Sequence, residues 1–178
     1  MLLFRPIDDR TDVLHLQSDV NLILDWIKSN GLTPNHSKTQ LLPITRSKRP
    51  LPFQISVDNH VVYPSKSVKY LGVTISHNLT WSEHIRLTCK SAKRNLGLIR
   101  HQFNHAPSSV HHKIYNSVIL PKLEYCAAVW DPYFATNKSS LENVQKFAGK
   151  IITNQWNSSY SDIRTALNWQ TLETSTYS

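Results

Sequence analysis

Residues 79–103 read LTWSEHIRLTCKSAKRNLGLIRHQF, and the fold class turns on this stretch. Ile85, Cys89, Ala92, Leu96, Ile99 and Phe103 recur at spacings of three and four, the period of one helix face. Arg86, Lys90, Lys93, Arg94 and Arg100 form a neighbouring basic face. The spacing predicts a helix over 81–103 that buries one side and offers cations on another. Thr80-x-x-Glu83 has the form of a capping box and sets the expected start.

Downstream the pattern stays helical. Pro107 ends the first helix, and a second is expected over 109–130, kinked at Pro121 and closed by Asp131-Pro132. A third, over 139–153, places Leu141, Val144, Ala148 and Ile151 on one face. From Asn157 the chain turns Ser/Thr-rich, with a weak helix over 162–168. Upstream, Val13, Leu16, Val20, Ile23 and Ile27 predict a helix over 12–29, capped at Thr11 or Asp12 and stopped by Gly31. Between the helices lie short extended pieces at 39–44, 53–57, 61–63 and 68–75, with a turn at Asp58-Asn59. They read as one small antiparallel sheet. The expected class is therefore α+β, a short sheet followed by helices.

Composition narrows the function. The 178 residues hold 20 Lys+Arg against 12 Asp+Glu, a formal charge of +8. From Lys38 to Lys113 twelve bases meet only Asp58 and Glu83, so this window is +10 and the remainder −2. An acidic partner such as nucleic acid or a membrane surface follows from that imbalance. Arg46 to Pro52 (RSKRPLP) is the nearest thing to a linker. No apolar run reaches the roughly 18 residues of a membrane-spanning helix, and Asp8 and Asp9 interrupt the start before a signal-peptide core forms. The chain reads as cytosolic or nuclear. Two cysteines, Cys89 and Cys126, cannot supply a Cys₄ zinc site or a disulfide scaffold.

Five blocks then stand out in order: WIKSNGLTPNHSKTQLL (26–42), VKYLGVTIS (68–76), LTWSEHI (79–85), LPKLEYCAAVWDPY (120–133) and LENVQKFAGKII (141–152). Together they closely resemble the reverse transcriptase of jockey-like non-LTR retrotransposons, over residues 3–172. The resemblance implies an α+β fold made of a small antiparallel palm remnant followed by a helical thumb. It divides the chain into the C-terminal part of the palm (1–78), the thumb (79–156) and a degenerate or poorly ordered tail (157–178). The Tyr-Ala-Asp-Asp hairpin that this family places just before the segment matching Leu2-Leu3-Phe4-Arg5-Pro6 is not in the sequence, nor is its partner Asp. The tail after Leu172-Glu173 departs from the family's basic continuation and reads as truncation or a lost frame.

Several residues acquire roles through this resemblance, each beside a plainer reading. Lys38, in Asn35-His36-Ser37-Lys38-Thr39, matches the palm lysine that protonates the pyrophosphate leaving group; without it, Lys38 is a solvated turn residue. Tyr70-Leu71-Gly72 resembles the primer grip; without it, Gly72 is a β-bulge glycine. Arg86, Lys90, Lys93, Arg94 and Arg100 fall where the thumb tracks a template–primer duplex, and phosphate neutralisation needs only spaced cations; the alternative is a solvated face.

Asp8-Asp9 is the tempting metal pair, since nucleotidyl transfer uses carboxylates to hold two Mg²⁺ ions, but acids there suit a helix start. His101, His105 and His111-His112 lack an acidic or thiol companion and are not expected to bind metal. Trp81, Trp130 and Tyr133 read as packing residues rather than stacking platforms. No metal or cofactor is expected in this chain, although the intact family uses Mg²⁺. The expected partner is an RNA or DNA template–primer, with no membrane contact. The leading expectation is a truncated RNA-directed DNA polymerase, inactive alone. The alternatives are a sequence-independent nucleic-acid-binding module and a decayed reading frame.

Overall fold

The structure, a computed structural model, describes residues 1–47, 52–131 and 134–172. It is mixed α+β, with two small antiparallel two-stranded sheets followed by a helical region. The chain divides into two compact units, residues 1–80 and 81–178. Tyr133, Lys48 and Arg49 lie outside the described residues, as does everything after Leu172.

In the first unit, α1 spans Arg10–Ser29 and starts two residues earlier than its periodicity suggested. Asp9 is the cap: its carboxylate accepts the amides of Thr11 (2.7 Å) and Asp12 (3.0 Å), and Asp12 accepts those of Asp8 (2.9 Å) and Asp9 (3.3 Å) in return. These backbone bonds hold the Asp12 carboxyl below its ordinary value. Gly31 ends the helix at φ +68, where its amide and that of Leu32 turn back to the carbonyls of Lys28 and Ile27.

Leu16, Val20 and Leu24 form the buried face of α1, and they pack on Leu41, Ile55, Val57 and Val62 with Ile7 and Phe53. The 39–44 stretch, expected as a strand, makes only a single bridge, Leu41 to Pro64; Pro43 has no N–H with which to extend it.

Two hairpins replace the single expected sheet. β1 (Ile55–Val57) pairs with β2 (His60–Val62) across the Asp58-Asn59 turn, whose φ values of 50° and 65° suit a two-residue loop. Pro64 follows, and β3 (Ser67–Tyr70) pairs only with β4 (Val73–Ser76). The outer edge of β1 is covered by a side chain of α1. Gln17 Oε1 accepts the Ser56 amide at 2.7 Å and Gln17 Nε2 donates to the Ser56 carbonyl at 2.9 Å, satisfying the backbone groups that an open edge would leave unpaired. Lys28 closes an exposed ion pair with Asp58 at 2.8 Å.

The second unit opens with α2 (Ser82–Gln102), and here the capping box does not form. Thr80 instead donates its amide (3.1 Å) and hydroxyl (2.8 Å) to Asn78 Oδ1, leaving Glu83 for another partner. The buried stripe is His84, Ile85, Cys89, Ala92 and Leu96. Phe103, expected on it, lies past the helix end and is 41% exposed. Burial pushes the Cys89 thiol above its ordinary value, so it serves as apolar filling.

The expected second helix is broken twice. After α3 (Ser108–Ile114) the chain forms a π-turn at Tyr115–Ile119, then α4 (Leu120–Glu124) and α5 (Ala127–Trp130). Pro121 lacks an N–H and its ring crowds the carbonyl four residues back, and the extra residue of the π-turn relieves both. The second break is at Cys126, with φ +54. It turns the chain so that Trp130 is buried and its indole N–H reaches the Tyr125 carbonyl at 2.7 Å.

α6 runs from Ala135 to Thr153, four residues longer at its start than the pattern showed, and packs broadly on α2. The stretch read as a tail carries α7 (Tyr160–Leu167), capped by Ser159 and Asp162, with Ile163 fully buried. Glu142 on α6 accepts both the Leu172 amide at 2.8 Å and the Tyr160 hydroxyl, whose oxygen also lies 2.7 Å from Gln145 Oε1. Burial first, and then the carboxylate beside it, push the Tyr160 phenol up, which keeps it a donor. Trp169 stacks on Tyr115 at 4.4 Å and donates to His112 Nε2 at 3.1 Å.

Candidate nucleic-acid interface

Arg86, Lys90, Lys93 and Arg100 occupy positions i, i+4, i+7 and i+14 of α2, one face of the helix, with Arg94 one step around. All five are exposed. At 1.5 Å per residue the row from Arg86 to Arg100 covers about 21 Å. That is long enough to meet several successive phosphates of a nucleic-acid backbone.

The five cations are not equivalent. Glu83 holds Arg86 in a bidentate pair, Nε to Oε2 at 2.8 Å and a terminal nitrogen to Oε1 at 2.7 Å. The hydrogen bonds from Arg86 keep the Glu83 carboxyl below its ordinary range, so one of the five charges is already neutralised. Arg100 lies over the Trp156 indole, 4.3 Å from the ring centroid, and keeps its charge. Lys90, Lys93 and Arg94 make no ion pair among the described residues. They are the cations free to meet phosphate.

In the other unit, Tyr70, Leu71 and Gly72 form the tip of the β3–β4 hairpin. Gly72 is not a bulge glycine. Leu71 and Gly72, at φ +46 and +86, are the two loop residues between Tyr70 and Val73. Leu71 is 73% exposed. A leucine at positive φ crowds its Cβ against the following carbonyl, a strain of about 1–2 kcal/mol. Leu71→Asn, which suits such a loop, should therefore stabilise the protein by about 1 kcal/mol in urea unfolding; an unchanged or lower midpoint would show that the leucine makes compensating contacts.

Lys38 is exposed in the turn opened by Asn35, whose Oδ1 accepts the Lys38 amide at 3.2 Å and the Ser37 hydroxyl at 2.7 Å. Asp8 and Asp9 do not fit a Mg²⁺ cage, because the Asp9 carboxylate is bonded to the first-turn amides of α1. No group of three metal-ligating side chains gathers among the described residues. His101 and His105 are exposed, His111 is buried and His112 bonds Trp169, and the four do not gather into a metal-ligating group. Trp130 is core, while Trp81 is half-buried at the start of α2. No helix among the described residues is long and apolar enough to cross a membrane.

Sequence reasoning assigned Glu83 to a cap and so overlooked its grip on Arg86, although the i, i+3 spacing was visible. The Arg100–Trp156 pair had no local signal, since helix packing brings its members together. Comparison with protein-family models, curated proteins and solved structures found no match to this chain.

Proposed function

We propose that this chain carries the C-terminal part of the palm and the thumb of a retrotransposon RNA-directed DNA polymerase, and that alone it holds nucleic-acid backbone without catalysing. The observation that supports the reading is the row of exposed cations on α2, in which Lys90, Lys93 and Arg94 make no ion pair among the described residues. The five ordered blocks, with hairpins preceding helices, accord with it. Binding of this kind reads charge and spacing rather than bases.

Titrating an RNA–DNA hybrid and a DNA duplex of unrelated sequences by fluorescence anisotropy tests it. Similar affinities, both lowered by the triple change of Lys90, Lys93 and Arg94 to Ala, are expected. Affinity confined to one sequence, or untouched by the triple change, would refute the assignment.

Primer extension with an RNA template, deoxynucleotides and Mg²⁺ or Mn²⁺ should give no product above blank. Two-metal chemistry needs a carboxylate cage, and Asp8-Asp9, the only adjacent acids in the chain, sit at the start of α1 with Asp9 as its cap. Extension that disappears in Asp8→Ala would reverse that conclusion.

A further inference from the structure

The second unit contains a cleft of 790 Å³ between the C-terminal end of α2, the start of α3, the end of α6 and the segment after it. That volume is in the range of small-molecule sites. Arg100, His101 and His111 contribute to its wall, and among the described residues no carboxylate does. An anion is therefore the ligand its charge favours.

Its other wall residues narrow the ligand further. Trp156 lines the cleft under the Arg100 guanidinium, and its indole N–H is tied to Asn154 Oδ1 at 3.2 Å. Lys150 Nζ donates to the Trp156 carbonyl at 2.6 Å, which fixes the backbone as well. The result is a cation on an aromatic shelf, held from two sides, beside the amide side chain of Asn154. A flat, conjugated group can stack there while an attached anion meets Arg100 and His101.

Gly97 gives access: it lies on the basic face between Lys93 and Arg100, and a Cβ built there meets nothing within 4 Å. His111, which is 8% exposed, lines the wall, and its Nε2 has no hydrogen-bond partner.

We propose that this cleft binds a nucleotide, its base on the Trp156–Arg100 shelf and its phosphate at Arg100 and His101. The nucleotide could be free or the end of a single strand, since both present a base with an adjoining phosphate. The inference stands on the cleft's own chemistry and does not require that Lys90, Lys93 and Arg94 grip a duplex.

The test is an amide and indole N–H NMR titration of the full chain with adenosine 5′-monophosphate, adenosine, inorganic phosphate, a 5′-phosphorylated oligothymidine and a hexaglutamate peptide. The monophosphate should shift the Gly97 amide and the Trp156 indole N–H, with adenosine and phosphate each at least roughly tenfold weaker, the worth of one stacked base or of its anion. Gly97→Trp should abolish the shift of the Trp156 indole N–H while leaving the melting temperature at or above that of the parent, because the position is open and exposed. Arg100→Gln should weaken the binding roughly tenfold without touching the cleft mouth.

If the oligothymidine binds more tightly than the monophosphate at the same signals, the ligand is a strand end; if only the monophosphate binds, it is a free nucleotide. Absence of shifts at millimolar monophosphate, or equal shifts from phosphate or hexaglutamate, would overturn the proposal. So would parental binding in Gly97→Trp. The triple change of Lys90, Lys93 and Arg94 to Ala should leave the monophosphate shifts in place, which separates failure of this site from failure of the backbone-binding face.

Discussion

Gly149→Ala is expected to destabilise the second unit by about 1–2 kcal/mol and to loosen α7. A methyl group at Gly149 would stand 2.3 Å from Ile163 Cγ2, and Ile163 is fully buried and branched at Cβ, which keeps Cγ2 close to the backbone of α7. Overpacking of this kind costs about 1–3 kcal/mol. A 2.3 Å contact falls in the upper part of that range, about 2–3 kcal/mol, and removing a mid-helix glycine returns up to about 1 kcal/mol of helix propensity, so the net effect remains unfavourable by about 1–2 kcal/mol. Gly97→Ala is the control, because α2 has open space at that position; it should stabilise by about 1 kcal/mol for the same propensity reason.

Urea unfolding reads both free energies, and amide exchange in residues 160–167 reads the loosening. In the double change with Ile163→Ala the clash disappears, so the two losses should sum to less than their parts. A stabilising Gly149→Ala would mean that α7 shifts away without penalty, and the close packing of α6 on α7 would carry no energy.

The dependence of duplex binding on salt should change by an amount fixed by which cations are free. Each phosphate neutralised on B-DNA contributes about −0.9 to the slope of log K against log salt. Changing Lys90, Lys93 and Arg94 to Ala should therefore flatten the slope by about 2.7, so that a fourfold rise in salt weakens the parent about forty-fold more than the variant.

Glu83→Gln should act in the opposite direction. Without its carboxylate Arg86 is released, and the slope should steepen by up to about 0.9. The pair is exposed, so little folding stability should be lost. Because Glu83 is held below its ordinary value, the restraint on Arg86 is present at neutral pH and lost only as pH falls through that lowered value. Anisotropy titrations at four salt concentrations measure these slopes. A slope unchanged in the triple variant would move the binding surface off α2, to Arg46, Lys48 and Arg49.

What was legible in the sequence was what short-range physics governs. The periodicity of apolar residues located α1, α2 and α6, because a helix brings positions three and four apart onto one face whatever surrounds it. Gly31 and the Asp58-Asn59 turn were legible for a similar reason, since their backbone angles are local demands. The basic face of α2 followed from spacing alone.

Tertiary structure decided what depended on competition between partners. Thr80 and Glu83 spelled a cap, yet Asn78 took the Thr80 hydroxyl and Arg86 took the Glu83 carboxylate. The extended pieces could have joined into one sheet, and Pro64 with the paired edges of β3 and β4 left them as two hairpins. The helix expected over 109–130 yielded to burial of Trp130, which required a turn at Cys126 that no propensity marks. The Ser/Thr-rich composition after Asn157 hid Ile163 and Leu172, which are buried, and Trp169, which is half-buried; a glycine, a carboxylate and an aromatic ring supplied by distant elements meet them. Arg100 and Trp156 meet for the same reason: their pairing is a property of how α2 and α6 pack, which no window of the sequence contains.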